Sequence, residues 1–426
     1  MLLRFSAGNH RSLREPVEFS LVASALDDIE IGLIDCKAIP RGKVLPAAII
    51  YGANASGKSN VISALQMMAR HVLLSHNRGK PGGGVPHTPF ALDPVFAKTP
   101  ASYEADFIIG KVRYHYGFTA SDEVFLSETL HAFPNGRMQR LFDRKEQKFT
   151  FGRGLSGPVR LIERLTRKNS LFVSAAAQNN HPLLSAIHKF FASIYFDGDI
   201  SVQGSLVSQR LAYGEFDHRI IPFLEKIGTG IIDYTRKEMD IPEEAKKIRH
   251  ALANALKQLA KDDESGKLEF PDDEDKIDYI QLAHRAVDGE KVFFDPEQES
   301  EGTKRLLMFL GPVFSALDRG ALAVIDELNA SLHTQVCEAV LALFSSPATN
   351  PKGAQLIATT HDTNLLHSKY LRRDQVWFTE KDSDGATHIY PLTDFRTRKG
   401  DNIGKGYLQG RFGAIPYAGP VSELVA

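Results

Sequence analysis

Residues 52–59 read Gly-Ala-Asn-Ala-Ser-Gly-Lys-Ser, which is a complete G-x4-G-K-S phosphate-loop pattern. Its flanks also suit such a loop. Residues 46–51 form a short apolar run typical of a buried parallel strand, and residues 59–72 carry apolar side chains at helical spacing. The sequence therefore predicts a strand, a loop and a helix in this order.

This loop predicts contacts with the phosphates of a bound nucleotide. Gly52 and Gly57 allow the backbone N–H groups to turn inward, Lys58 reaches the outer phosphates, and the Ser59 hydroxyl can ligate Mg²⁺ at the helix N-terminus. We expect the whole segment to line the site, namely Gly52, Ala53, Asn54, Ala55, Ser56, Gly57, Lys58, Ser59 and Asn60.

Two apolar segments late in the chain end in polar residues suited to nucleotide hydrolysis. Residues 321–327 (Ala-Leu-Ala-Val-Ile-Asp-Glu) predict a strand that ends at Asp326, a ligand for Mg²⁺, and Glu327, a base for the attacking water. Residues 354–360 predict a second buried strand, which His361 follows. Taken separately, the two carboxylates could be an ordinary strand-to-loop pair, and the histidine an ordinary loop residue.

A further segment lies between the phosphate loop and these strands, about 240 residues after Ser59. Residues 299–307 read Glu-Ser-Glu-Gly-Thr-Lys-Arg-Leu-Leu and place Ser300 and Gly302 at the start of an amphipathic helix. The N-terminus of such a helix can present N–H groups to an anion. Taken alone, the segment also fits a simple helix cap.

In this order and spacing, the segments resemble the heads of ABC-type ATPases of the SMC and RecF kind. The resemblance implies ATP and Mg²⁺ as cofactors and Lys58, Glu327 and His361 as catalytic residues. It also implies that Ser300 and Gly302 of one head close over the nucleotide of another. Residues 1–20 resemble the opening β-hairpin of these heads, which adds Arg11 to the expected nucleotide-binding residues.

Both ends of the chain, roughly residues 1–120 and 295–417, resemble a narrower group. The segments 360–364 (Thr-His-Asp-Thr-Asn), 372–378 and 406–416 are similar to stand-alone bacterial AAA-type ATP-binding proteins of anti-phage systems. These include the RloA or AbiL type, which is encoded beside a TOPRIM-like RloB partner, and the ATPase of PARIS. The resemblance implies an effector protein as partner and admits a phage trigger protein.

Two positions depart from the general ABC pattern. The usual Leu-Ser-Gly-Gly-Gln is here Glu-Ser-Glu-Gly-Thr, so Glu301 adds a negative charge where a phosphate is expected. His333 stands where many ABC heads carry an aspartate that crosses to the other subunit. We expect slower closure of the paired heads from the first change and altered signalling between them from the second.

The predicted fold is an α/β P-loop ATPase head of the ABC type, with a mixed central sheet, flanking helices, an antiparallel β lobe and an inserted α-helical lid domain. Residues 1–150 form its first half and residues 299–426 its second half. Residues 151–298 are predicted to be a mainly helical insert, with helices over 159–166, 182–196, 222–232 and 242–261. Prolines 182, 222 and 242 argue against a coiled-coil arm in this insert.

Composition favours a cytoplasmic protein. The chain has 426 residues, of which 43% are hydrophobic and 24% charged, and it lacks the run of roughly 20 apolar residues that a membrane helix needs. Cys36 and Cys337 are too few for a disulfide framework. Lys and Arg number 51 against 52 Asp and Glu, so no overall positive charge attracts DNA.

Two other segments bear on alternative activities. Residues 137–168 contain ten Lys and Arg residues and predict either a DNA-binding patch or a solvated surface. Asp382-Ser383-Asp384-Gly385 contains an Asp-x-Asp pair, but it lies between two strand-like runs and predicts a hairpin turn. We therefore assign any cutting activity to a partner protein.

The resulting hypothesis is an ATPase that forms a homodimer or higher homo-oligomer across its nucleotides. ATP-driven closure and hydrolysis would then control a toxin or nuclease in anti-phage defence. The main alternative is a RecF-like or SMC-like DNA-binding ATPase of DNA repair or maintenance. A third alternative is a head that binds ATP without turnover.

Overall fold

The computed structural model describes residues 1–40, 42–197, 207–212, 216–240 and 276–415. The chain divides into two compact units. The first comprises Met1–Asp199 and Ser315–Ala426, and the second comprises Ile200–Phe314. Among the described residues, every helix is too short or too polar to span a bilayer.

The strands of the described residues, in chain order, are β1 (Leu2–Gly8), β2 (Val17–Ser20), β3 (Ile34–Asp35), β4 (Lys43–Val44), β5 (Ala47–Gly52), β6 (Ala101–Ile109), β7 (Val112–Ala120), β8 (Phe125–Phe133), β9 (Gln139–Lys145), β10 (Lys148–Phe151), β11 (Tyr195–Phe196), β12 (Ile231–Asp240), β13 (Lys276–Arg285), β14 (Lys291–Phe294), β15 (Leu322–Ile325), β16 (Gln355–Thr359), β17 (Val376–Lys381) and β18 (Thr387–Pro391). The α-helices are α1 (Lys58–Leu74), α2 (Val159–Leu165), α3 (Phe172–Gln178), α4 (Pro182–Ala192), α5 (Val207–Ala212), α6 (Ile220–Lys226), α7 (Glu301–Arg319), α8 (Thr334–Ser345) and α9 (Ile403–Leu408).

A six-stranded sheet in the first unit holds the predicted site. Its order is β11-β15-β16-β5-β17-β18, parallel throughout except for the edge strand β18. All residues of β5, β15 and β16 are buried, as their continuous apolar runs predict for a parallel sheet covered on both faces. Because the strands are parallel, their carboxyl ends meet at one edge. The expected mixed central sheet is confirmed.

A seven-stranded antiparallel sheet forms the predicted β lobe, in the order β10-β9-β8-β7-β6-β1-β2. The opening hairpin is confirmed, since β1 pairs with β2 in antiparallel register. Helix α1 contacts β1 and β6 of this sheet and also β5 of the six-stranded sheet. Its residues Met68 and Val72 are fully buried in the core that this arrangement creates. The helix that begins at the phosphate loop is therefore held between the two sheets.

A buried ion pair fixes α3 to the β lobe. Arg144 and Glu128 have fully buried side chains 3.5 Å apart, and Arg144 also donates to the Ser170 carbonyl at 2.6 Å. Glu128 accepts hydrogen bonds from the backbone N–H groups of Phe172 and Val173 at 2.6 and 3.0 Å. Arg144, which the sequence analysis counted within the basic segment 137–168, therefore has a structural role and does not belong to a charged surface.

The second unit differs from the predicted helical insert. Helix α6 ends at Lys226, six residues before the predicted end of the 222–232 helix, and β12 begins at Ile231. Gly228 and Gly230 lie between them with φ angles of 82° and 80°, which a helix does not allow. The strands β12, β13 and β14 form an antiparallel sheet. The predicted helix over 242–261 lies outside the described residues.

The domain boundaries also differ. Helices α2, α3 and α4 lie within the predicted insert of residues 151–298, yet the division into compact units assigns them to the first unit. Helix α4 contacts both α1 and β6, which explains this assignment. The described part of the second unit therefore combines helices with a small sheet.

Candidate functional site

The phosphate loop lies between the end of β5 and the start of α1. Ala55 and Gly57 have φ angles of 64° and 105°, which fold the loop back on itself. The Lys58 ammonium group donates hydrogen bonds to the carbonyl oxygens of Gly52 and Ala53, both at 3.0 Å. This arrangement holds a positive charge inside the loop, at the N-terminus of a 17-residue helix. Both features favour an anion such as a phosphate.

Positions 52 and 57 require glycine because neighbouring side chains pack closely against them. A Cβ atom at Gly52 would overlap the hydroxyl oxygens of Thr379 and Ser56. A Cβ atom at Gly57 would overlap the Thr387 side chain, and the left-handed φ angle of Gly57 also disfavours other residues. Thr379 and Thr387 belong to the hairpin of β17 and β18. The loop pattern therefore reflects a packing constraint as well as a need for backbone freedom.

The two carboxylates follow β15, at the edge where the parallel strands end. The Thr359 hydroxyl donates to Asp326 at 2.5 Å and accepts the backbone N–H of Glu327 at 2.7 Å. Glu327 has a φ angle of 51°, and it is exposed. Thr359 at the end of β16 therefore connects the two carboxylate residues and orients both.

His361 follows β16, as predicted, and Asn329 holds its backbone. The Asn329 side-chain oxygen accepts the His361 N–H at 3.1 Å and the Thr360 hydroxyl at 2.8 Å. Burial lowers the pKa of His361 most, and the positive charge of Lys58 lowers it further. The negative charges of Glu327 and Asp326 oppose this shift. The imidazole is therefore neutral at neutral pH and can act as a hydrogen-bond donor or acceptor.

The predicted groups of the first unit follow the carboxyl ends of the neighbouring parallel strands β5, β15 and β16. Burial lowers the pKa of the Lys58 ammonium, and the negative charges of Asp326 and Glu327 oppose that shift. The same two carboxylates act on His361. Lys58, Asp326, Glu327 and His361 are thus brought together although more than 260 residues separate Lys58 from Asp326.

The residues present fit Mg²⁺. Mg²⁺ is typically held by one or two carboxylates together with phosphates and several waters. Asp326 supplies a carboxylate that Thr359 orients, and Ser59 supplies an exposed hydroxyl in the first turn of α1. Within the described residues there is no group of three or more His, Cys, Asp or Glu side chains suited to a metal ion.

Arg11 and Asn60 lie beside the loop but differ in their contacts. Arg11 is exposed in the turn between β1 and β2, has a φ angle of 50°, and donates its backbone N–H to Thr88 at 2.7 Å. Asn60 donates its side-chain amide to the hydroxyl of Ser12 at 2.5 Å. Asn60 is thus engaged with the opening hairpin, while the role of Arg11 in nucleotide binding stays a prediction.

Ser300 and Gly302 belong to the second unit. Ser300 immediately precedes α7, and its hydroxyl accepts the Thr303 N–H at 3.2 Å, which makes it a helix cap. The Glu301 carboxylate pairs with Lys304 at 2.5 Å. The Lys304 ammonium therefore offsets the negative charge that Glu301 adds relative to the ABC pattern. His333 caps α8 in the first unit and accepts the Gln335 N–H at 3.3 Å.

Two residues of the site escaped the sequence analysis, Thr359 and Asn329. Each acts through a contact between the ends of neighbouring strands, over 30 residues apart in the chain. Their only signal in the sequence is a polar residue directly after or at the end of a buried apolar run. That signal does not reveal which partner each residue contacts.

Comparison with known proteins identifies the family of this chain. The family described as "AAA domain, putative AbiEii toxin, Type IV TA system" matches residues 47–367. The chain belongs to this family. The matched range begins at β5 and includes the phosphate loop, both carboxylates and His361. This member of the AAA family thus carries an ATPase-type nucleotide domain with a P-loop α/β fold.

Similar solved structures include an SMC head domain from Thermotoga maritima, with 16% identity, 92% of this chain and 98% of that chain covered, and a TM-score of 0.39. An SMC head bound to the C-terminal winged-helix domain of ScpA has 16% identity, coverage of 91% and 96%, and a TM-score of 0.38. The cbiO1 protein of Clostridium perfringens, part of an ABC transporter complex, has 17% identity, coverage of 49% and 61%, and a TM-score of 0.22. No curated protein matches the sequence.

Proposed function

We propose that the chain binds Mg-ATP at the edge of the six-stranded sheet and hydrolyses it there. The observation that carries this proposal is the convergence of Lys58, Asp326, Glu327 and His361 at the carboxyl ends of the neighbouring parallel strands β5, β15 and β16. A cation, two carboxylates and a neutral imidazole beside a phosphate loop are the groups that phosphoryl transfer to water requires.

Each residue has a role that its position supports. The loop N–H groups and the Lys58 ammonium bind the phosphates and offset their charge. Ser59 and Asp326 would hold Mg²⁺, which would supply positive charge to offset the negative charge of the phosphates. Glu327 orients a water for attack and accepts its proton, and His361 donates a hydrogen bond to the outer phosphate. Thr359 and Asn329 keep these groups in place.

The proposal extends to pairing of two copies. Ser300 and Gly302 stand at the start of α7, a 19-residue helix whose N-terminus favours anions. In the paired state, this end of one copy would complete the site of the other. Because the Ser300 hydroxyl oxygen already accepts the Thr303 N–H, the hydroxyl is held in place and would donate its proton to a phosphate of the other copy's nucleotide. The helix would supply N–H groups to the same phosphate. A homodimer is the smallest assembly that this requires.

The proposed biological role is control of a partner toxin or nuclease in anti-phage defence. The family description names a putative toxin of a Type IV TA system, which supports a role in a toxin system. That the toxin is a separate partner is part of our proposal. In this proposal, the ATP cycle of the paired chains holds or releases the effector, whose class would be TOPRIM-like or another toxin. A phage protein would act as the trigger.

The test uses Lys58→Ala, with Lys111→Ala in the exposed turn between β6 and β7 as control. Lys58→Ala removes the only cation of the loop, so we expect no measurable ATP binding and no phosphate release, while the control matches the wild type. Cells that carry the chain with its neighbouring genes should lose phage protection with Lys58→Ala alone. Normal ATP binding by Lys58→Ala would refute the assigned site, and unchanged protection would refute the role in defence.

A second candidate function, DNA binding, is favoured by the exposed basic residues of segment 137–168. Within the part of the chain that the structure describes, six exposed cations of segment 137–168 have no carboxylate partner: Arg137, Lys145, Lys148, Arg153, Arg164 and Lys168. Arg160 pairs with Glu163, and Arg167 donates to backbone carbonyls. If DNA binds here, changing Lys145, Lys148 and Lys168 to Gln should make the slope of log K against log salt concentration less steep. The expected change corresponds to the loss of about three phosphate contacts.

A further inference from the structure

A chain of buried hydroxyl groups lies behind the phosphate loop. The Thr387 hydroxyl donates to the Ser56 carbonyl at 2.8 Å, and the hydroxyls of Ser12 and Thr387 are 2.7 Å apart. Ser56 also uses its side chain, whose hydroxyl lies 2.7 Å from the hydroxyl of Thr379. Ser56, Thr379 and Thr387 are at most 3% exposed. The hairpin of β17 and β18 thus contacts the loop through both its backbone and a side chain.

The hydrogen bonds that link Asn60, Ser12 and Thr387 to the Ser56 carbonyl all run in one direction. Asn60 donates to Ser12, and since Thr387 uses its own proton for the Ser56 carbonyl, Ser12 donates to Thr387. The Thr387 N–H in turn donates to the Ser12 carbonyl at 2.7 Å. The hydroxyls of Ser12 and Thr387 therefore each have both a donor and an acceptor partner. A fully satisfied buried network of this kind holds its members in one geometry.

The bond to the Ser56 carbonyl determines where the next N–H points. The peptide group between Ser56 and Gly57 is planar and trans, so its N–H and C=O point in opposite directions. Because Thr387 holds the carbonyl on the hairpin side, the Gly57 N–H points away from the hairpin, where the proposed function requires a phosphate. Thr387 can hold this carbonyl closely only because residue 57 lacks a Cβ atom.

We propose that Thr387 is a positioning residue for nucleotide binding, which fixes the peptide group of Ser56 and Gly57 so that the Gly57 N–H can bind a phosphate. The proposal rests on the proposed function of the loop. It adds that a hairpin about 330 residues downstream in the chain sets the loop geometry.

The test is the affinity of the full-length protein for a fluorescent ATP analogue in the presence of Mg²⁺. Thr387→Val removes the hydroxyl at nearly constant volume, and we expect the Kd to rise about tenfold because the Ser56 carbonyl loses its buried donor. Thr387→Ser keeps the hydroxyl and should stay within about twofold of the wild type. In turnover, Thr387→Val should raise the KM for ATP and leave kcat within about twofold.

Thr166→Val is the matched control. The Thr166 hydroxyl is also buried and also donates to a backbone carbonyl at 2.8 Å, that of Ile162, but it lies at the end of α2. It should lower the thermal midpoint as Thr387→Val does, without changing the Kd. If Thr387→Val does not fold, Thr387→Ala replaces it with the same expected rise in Kd.

Three results would overturn the proposal, and they are distinguishable. If the wild type binds ATP and Lys58→Ala does not, but Thr387→Val binds as the wild type does, the proposed function stands and the role of Thr387 is wrong. If the wild type binds no ATP at all, the proposed function fails and the positioning role fails with it. An equal rise in Kd for Thr166→Val would assign the effect to general destabilisation.

Discussion

At the scale of single residues, the site depends on side chains that orient other side chains. Thr359 is the main example, because its hydroxyl contacts Asp326 and the Glu327 backbone at the same time. Asn329 similarly accepts hydrogen bonds from the Thr360 hydroxyl and the His361 backbone N–H through one oxygen. The residues proposed to act on ATP could be predicted from the sequence, whereas these orienting residues could not, because only the sheet brings their partners near.

Thr359→Val tests this orienting role. Without the hydroxyl, the Asp326 carboxylate loses a hydrogen bond, so its hold on Mg²⁺ should weaken. We expect half-maximal phosphate release to require an Mg²⁺ concentration about tenfold higher, which is typical for loss of a partner that orients a metal ligand. Thr359→Ser should restore the wild-type requirement. Thr349→Val, which removes an exposed hydroxyl bonded to the Leu343 carbonyl, serves as control. An unchanged Mg²⁺ requirement in Thr359→Val would contradict this role.

At the scale of elements, patterns within one segment were predictable and contacts between segments were not. The apolar runs predicted β5, β15 and β16, and the Asp382–Gly385 segment predicted the turn between β17 and β18, which is confirmed. The sequence did not indicate that this hairpin contacts the phosphate loop. It also did not indicate β12, because the glycines that end α6 lie beside residues with mixed helix and strand preferences.

The buried pair of Arg144 and Glu128 allows a stability test at this scale. Arg144→Met leaves the Glu128 carboxylate buried without its cation, which should lower the free energy of unfolding by about 3–5 kcal/mol. Arg140→Met removes a half-exposed arginine from the same strand and should change it by less than about 1 kcal/mol. Urea unfolding of the purified variants measures both. Equal effects for Arg144→Met and Arg140→Met would show that the pair does not anchor α3 as we infer.

At the scale of the whole molecule, the chain joins two distant parts of its sequence into one site. Lys58 belongs to the N-terminal half of the first unit, and Asp326, Glu327 and His361 belong to the C-terminal half. Order and spacing of the motifs were enough to predict this joining. The role of Ser300 and Gly302 in a second copy's site stays a prediction, because it concerns an assembly of two chains.

The central claim is that Glu327 activates water in an ATPase site built from these distant parts. Its most direct test is steady-state phosphate release by Glu327→Gln, with the exposed Glu123→Gln as control. We predict that Glu327→Gln binds Mg-ATP with wild-type affinity but releases phosphate at least about 100-fold more slowly, since an amide cannot accept the proton of the attacking water. Phosphate release at the wild-type rate by Glu327→Gln would contradict the claim.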